Sequence, residues 1–511
     1  MHASRFFILR VAVVALGFFA ASSGRAEVVV ASPFTDHAVL QRNLPVPIWG
    51  HGAAGEKVTV NFHYQTLATT ADAHGRWSVR LKPMSADASG ADLSITGQNS
   101  ITLHDIVVGE VWLASGQSNM EWPLHLARDA KAEIASATLP LVRHLKIEHT
   151  PSDTPSNSVK TSGWQVASPE TAGSFTAVGY FFAHELSAKI NVPVGIIHSS
   201  WGGTPIESWL DQSVLKSTKG WPRFEAEWTE ALRVFPRKKT EYAALDRAWQ
   251  KADEASRMSG KPNPLPWPHP PVGPGTAYAP GGLFNGMIVP LIPYAVRGAL
   301  WYQGESNVGR ATEYAELFPA MIRDWRESWG QGDFAFLFVQ LPNYADNHPT
   351  GTNWAELRDA QNAALKLPQV GEAVTIDVGE ADNLHPTNKK PVGERLALLA
   401  EAKVYKMADV EGVSPQFVSA KREAGTIRVT LAPAKGLVVR GLTNSSTGFD
   451  LAGADHVFHP ANATVENETV VVSSPEVKEP VAVRYAFTNN PSVTLYNDAG
   501  LPAGPFRSDD W

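Results

Sequence analysis

Apolar and polar positions change their rhythm twice along the chain. From residue 27 to about 105 they alternate in short runs, such as KVTVNFHY, WSVRLKPM and ADLSITG, broken by Gly, Asp and Asn. A period of two predicts half-buried strands, and the turn residues between them predict a small β-sandwich-like domain. From about 106 the apolar runs become nearly continuous: IVVGEVWLAS, VPVGIIHSS, AVRGALWYQ, DFAFLFVQL and AVTIDVG. Strands apolar on both sides are strands covered on both sides. Helical patterns at 313–329, 354–367 and 391–405 follow the third, fourth and fifth runs. Strands alternating with helices predict an α/β fold built on a parallel sheet. Past about 408 short strands return, as in GTIRVTLA and ETVVVSS, and predict a C-terminal β-rich domain to 511. The central domain, 106–407, carries an insertion at about 222–275: charged helices to about 260, then the proline-rich KPNPLPWPHPPVGPG. Such loops serve as connectors or as lids.

The first residues break this scheme. Arg5 and Arg10 precede the apolar run Val11 to Ala21, and Gly24-Arg25-Ala26 supplies small residues for cleavage. That pattern predicts a signal peptide over 1–26, cleaved after Ala26, and a periplasmic or secreted protein with no membrane attachment afterwards. Losing three arginines moves the net charge from −7 to about −10, which disfavours nucleic acid as a partner. The chain has no cysteine, so thiol nucleophiles and thiolate metal sites are excluded.

Ligands of open α/β sheets bind beyond the carboxyl ends of the strands. The loops at those ends carry the candidate chemistry. After the first strand comes Gly116-Gln117-Ser118-Asn119, and after the second Trp201-Gly202-Gly203. After the third comes Gln303-Gly304-Glu305-Ser306-Asn307, and after the fifth the loop with Asp382 and His385. Their residue types fit acyl transfer. A serine hydroxyl needs a base to take its proton, and histidine titrates near neutrality. This makes Ser118 the candidate nucleophile and His385 the base. Asp382, three residues before His385, is spaced to hold the other ring nitrogen. Candidate oxyanion donors are the backbone N–H groups of Ser118 and Gly203, with an amide of Gln303 or Asn307. Bland readings stand beside these. Ser118 would also suit a helix start, Gly202-Gly203 a tight turn, and Glu305 a buried structural acid. Asp382, His385 and His198 lack the ligand spacing of a metal site.

At these residues the chain resembles a known family. GQSNMEW, SSWGGTPIESW, GALWYQGESN and DNLHPTNK together are similar to the sialate O-acetylesterase family of the SGNH hydrolase superfamily, and Leu283 to Asn307 is an especially long match. Met120 replaces the second glycine of the G-x-S-x-G elbow of α/β-hydrolases. The resemblance implies a flavodoxin-like three-layer SGNH domain and a hydrolase that removes O-acetyl groups from carbohydrate, without metal or organic cofactor. It implies Ser118, Asp382 and His385 as nucleophile, acid and base. Gln117, Gly203, Gln303, Glu305 and Asn307 fall where relatives place oxyanion and substrate contacts, and Glu305 is an alternative acid.

The substrate stays open between acetylated sialic acid and plant glycans such as xylan. A sialate carboxylate calls for a nearby cation, for which Arg128, Arg310, Lys389 and Lys390 are candidates. Trp122, Trp201, Trp209, Trp301 and Trp354 lie near the loops as sugar platforms or as core. Two other readings remain: a carbohydrate-binding protein on a hydrolase scaffold, and an esterase for longer acyl chains. Oligomeric state is not legible.

Overall fold

A computed structural model describes residues 27–259, 263–266, 268–440 and 447–511. The signal peptide expected over 1–26 lies outside the described residues. Seven strands form the central sheet: β1 (Ser100–Gly116), β2 (Leu139–Ile147), β3 (Thr161–Ala167), β4 (Val194–Ser200), β5 (Gly298–Tyr302), β6 (Ala335–Val339) and β7 (Val370–Ala373). Their order is β3-β2-β4-β1-β5-β6-β7. All neighbours run parallel except β3, which is antiparallel to β2. The sheet is therefore mixed rather than purely parallel.

One strand joins the first two regions. The first half of β1 alternates exposed and half-buried residues, and β1 pairs antiparallel over Ser100–Val108 with Asp87–Thr96 of the N-terminal β layer. From Ile106 onward every residue of β1 is buried. The change marks where one sheet face gives way to cover on both. Val39–Gln41 pairs parallel with β1 at Val107–Gly109, which ties the N-terminal layer to the central sheet.

The chain leaves β1 towards β2 and β3, returns to β4, and then crosses to β5 on the other flank. That reversal opens a crevice beside the end of β1. Register aligns the three strand ends there: Ser200 of β4 and Tyr302 of β5 both pair with Gly116.

Five longer helices accompany the sheet: α1 (Ala177–Ile190), α2 (Trp221–Ser259), α3 (Ala311–Trp329), α4 (Asn353–Gln361) and α5 (Lys390–Lys403). Helix α1 packs on α5, and α3 on α4. Where several helices were expected after 222, a single helix of 39 residues runs through Pro236. Ion pairs such as Arg237–Glu241, four residues apart, lie along its exposed surface. Among the described residues no helix is long and apolar enough to cross a membrane.

The fifth expected strand is displaced. The ladder ends at Ala373, and Val374 and Ile376 turn instead into a second core built from the C-terminal strands. Ile427, Val429, Leu451, Val470 and Tyr485 form its centre. Alternating apolar residues at 374–376 found cover by packing, without a sheet partner.

Candidate active site

The turn after β1 is stitched to both neighbouring strands. Gln117 N–H donates to Tyr302 O at 2.9 Å, and Gly116 O accepts from Trp201 N–H at 3.0 Å. Gly116 has φ +132°, and a Cβ there would lie 2.1 Å from Tyr302 O, so only glycine lets the strands close. Residues Ser118–Glu121 then form one helical turn. Thr176, the N-cap of α1, donates through its hydroxyl to Met120 O at 2.5 Å and fixes that turn from the side.

Ser118 starts the turn without capping it. The cap position belongs to Gln117, whose side chain makes no cap hydrogen bond. Ser118 Oγ instead lies 2.8 Å from His385 Nε2, across 267 residues of sequence. That distance suits proton transfer between the two.

A tight loop presents His385. Glu380 accepts from Asn383 Nδ2 at 2.8 Å, Thr387 N–H at 2.9 Å and the Thr387 hydroxyl at 3.0 Å. Asn383 Oδ1 accepts from His385 N–H at 3.0 Å. The Trp122 ring stacks on the imidazole, centroids 5.4 Å apart and planes 20° from parallel. Burial pulls the His385 pKa below its ordinary value, and the Lys389 ammonium adds to the effect. Asp382 departs from expectation. It is exposed and makes no hydrogen bond to the ring, because the loop closes on itself through Glu380 and Asn383 and leaves Asp382 in the turn between them.

Glu305 is not on the ring either. It is half-buried and accepts from Asn119 Nδ2 at 2.5 Å, and its buried Oε2 has no partner among the described residues. Burial pushes its pKa up.

The oxyanion side is clearer. The backbone N–H groups of Ser118 and Gly203 have no hydrogen-bond partner among the described residues. Gly203 has φ +76°, and a Cβ on Gly202 would stand 3.2 Å from Ser118 Cβ, so this turn lies against the nucleophile. Glu121, which the sequence reading passed over, takes the Gly202 N–H at 2.6 Å. Its other oxygen meets His149 Nε2 at 2.8 Å, and the His149 ring stacks on Trp201 at 4.0 Å. Glu121 had one signal, a position three residues after Ser118 on one helical turn; His149 had none.

Three expected substrate contacts are engaged with protein groups. Gln117 is 2% exposed, and its Oε1 accepts from Gly304 and Ser306 N–H, each at 3.3 Å. Gln303 donates to Asn307 Oδ1 at 2.7 Å and accepts from the Tyr314 hydroxyl at 2.9 Å. Asn307 Oδ1 also accepts from Ile206 N–H at 3.0 Å, while Nδ2 donates to Glu207 at 3.0 Å. Their amides clamp the Gln303–Asn307 loop to the loop after β4, because unpaired buried amides would be costly. Of the five tryptophans, Trp209, Trp301 and Trp354 are core; Trp122 and Trp201 face the site through His385 and His149. His198 is buried and bonded to Ser200 Oγ at 2.6 Å.

The candidate cations are engaged. Arg128 pairs with Glu380 at 3.6 Å, Lys390 with Glu133 at 3.7 Å, and Arg310 with Glu207. Lys389 is buried and donates to Asn119 Oδ1.

Residues 287–401, which include β5 and the Glu305 and His385 loops, match the family model described as a carbohydrate esterase, sialic acid-specific acetylesterase. The chain is 27% identical to the sialate O-acetylesterase of Mus musculus, over 93% of each chain. It is 28% identical to that of Homo sapiens, over 93% of this chain and 91% of that one. The crystal structure of a carbohydrate acetylesterase from Xanthomonas citri is similar throughout, with TM-score 0.80 and 36% identity over 95% of this chain and 100% of that one.

Proposed function

The chain belongs to the sialate O-acetylesterase family of carbohydrate esterases, and on that premise we propose that it deacetylates O-acetylated carbohydrate through an acyl-enzyme on Ser118. The contact that carries this reading is His385 Nε2 to Ser118 Oγ, 2.8 Å, at the crevice beside β1. His385 takes the hydroxyl proton as Oγ attacks the acetyl carbonyl carbon. The N–H groups of Ser118 and Gly203 receive the oxyanion. His385 then protonates the departing sugar oxygen, and water attacks the acetyl-serine with His385 again as base. Acetate leaves and Ser118 regains its proton.

Asp382 completes the site in this proposal by turning its exposed carboxylate onto His385 Nδ1 when substrate binds. Hydrogen bonds of this kind are often loose before binding. Asp382→Asn should then lower kcat at least ~10²-fold in steady-state assays. A loss below about tenfold would leave the work to Ser118 and His385, with Trp122 alone orienting the ring.

The depressed His385 pKa has a signed consequence. The base must be neutral, so the acid limb of kcat/KM should lie below pH 6.5, the ordinary histidine value. A limb at pH 7 or above, in a profile with an acetyl aryl ester, would count against His385.

A second substrate reading has its own support. Each cation weighed as a carboxylate partner is paired with an acid or buried. That favours an uncharged acetylated glycan, such as acetylated xylan, over sialate. Acetate release from the two substrates side by side distinguishes them. The reading extends to an SGNH-type central domain over 106–407, flanked by 27–105 and 408–511, and to export with residues 1–26 as signal peptide.

A further inference from the structure

Beneath Ser118 and His385 lies a buried charge that the proposed chemistry does not use. Lys389 is 1% exposed and stands at the N-cap of α5. Its ammonium donates to Asn119 Oδ1 and sits 5.7 Å from the Trp122 ring centroid and 5.6 Å from that of Tyr302. Asn119 is itself fully buried. Its Nδ2 donates to Glu305 Oε1 at 2.5 Å and to Leu384 O at 3.1 Å. This one amide therefore follows Ser118 in the chain and holds the carbonyl that precedes His385. Its orientation is forced, since Oδ1 must face the ammonium and the NH₂ the carboxylate.

We propose that Lys389 is a positioning residue for this reaction, fixing Asn119 and through it the spacing of Ser118 and His385. The inference rests on the assignment of those two residues above. Trp122 links the parts a second time, because its ring lies beside the ammonium and also stacks on His385.

The charged groups around Lys389 pull in opposite directions. Glu305 and Glu380 favour its proton, while burial brings its pKa down to about 7. The ammonium in turn disfavours a proton on His385. Two limbs follow. The acid limb reports His385 becoming neutral under the influence of Lys389, and the alkaline limb reports Lys389 losing the proton that holds Asn119.

Lys389→Met removes both effects. With an acetyl aryl ester, kcat should fall ~10²-fold while KM stays within about threefold, as for loss of geometry in the reacting complex. The acid limb should move to higher pH, because the repelling charge is gone. Lys389→Arg keeps the charge and should leave that limb in place. A merely structural lysine would lower activity without moving the limb, and that result overturns the proposal. Glu305→Gln decides the matter if Lys389→Met does not fold. It is isosteric and removes one carboxylate that holds the Lys389 proton, so the alkaline limb should move to lower pH. An unmoved alkaline limb overturns the proposal. Ser118→Ala is the control: if it keeps activity, the esterase assignment itself fails, whereas an inactive Ser118→Ala with unmoved limbs in the other variants defeats only the role of Lys389.

Discussion

Ser118→Ala should reduce kcat on any acetyl ester by at least ~10³-fold, with folding unchanged. Nucleophile deletions elsewhere cost this much or more, and what survives comes from oxyanion donors and binding. The size of the loss follows from the local arrangement. Among the described residues Ser118 Oγ has one side-chain partner, His385 Nε2, and makes no capping bond that alanine would forfeit. The turn is held by backbone bonds from Gln117 and by the Thr176 hydroxyl, all of which persist in the variant. A residue that only began a helix would show the reverse, with unaltered turnover and a changed melting temperature. Steady-state kinetics and thermal unfolding of the same preparation separate the two.

Arg358→Met should destabilise the protein by at least ~2 kcal/mol, the largest stability effect expected here. Arg358 is fully buried, and burial draws its pKa down to about 9. Its guanidinium donates to Leu341 O, Pro342 O and Asn489 O at 2.8 Å each and to Thr488 O at 2.9 Å. Methionine fills similar space but leaves Leu341 O and Thr488 O without a donor, while Pro342 O keeps the Trp354 Nε1–H and Asn489 O keeps the Tyr344 N–H. Each unsatisfied buried acceptor costs about 1–3 kcal/mol, so partial hydration does not cancel the sum. The bonds join the end of β6 to a C-terminal segment. That segment continues through Asn490 to Asn343, and Asn343 Oδ1 accepts from Gly379 N–H at 2.8 Å, at the root of the His385 loop. The variant should therefore lose activity at temperatures where the wild type keeps it. A shift under about 1 kcal/mol in thermal or denaturant unfolding would show that water replaces the guanidinium.

The strands β1, β4, β5 and β6 were legible because they are buried on both sides and so read as continuous apolar runs. The 374–376 segment carried the same signal but used it for domain packing, which composition does not distinguish. Helix α1, buried along most of its length, has little amphipathic contrast and went unread. Ser118 and His385 were legible from their places after strand ends, since topology brings those loops together. The protein bonds of the Gln117, Gln303 and Asn307 amides were not legible, because an amide serves equally well as a clamp or as a substrate donor. Lys389 and Lys390 show the limit most sharply. They are adjacent, yet one is 1% exposed and bonded to Asn119 while the other is an exposed partner of Glu133. Only the direction in which α5 leaves the loop decides which is which.

The most direct test is acetate release by wild-type protein and by Ser118→Ala, measured side by side on acetylated xylo-oligosaccharides and on O-acetylated sialic acid. The account requires release from at least one substrate by the wild type and a loss of at least ~10³-fold in the variant. Sugar binding without release from either substrate, or release by Ser118→Ala at the wild-type rate, would contradict it.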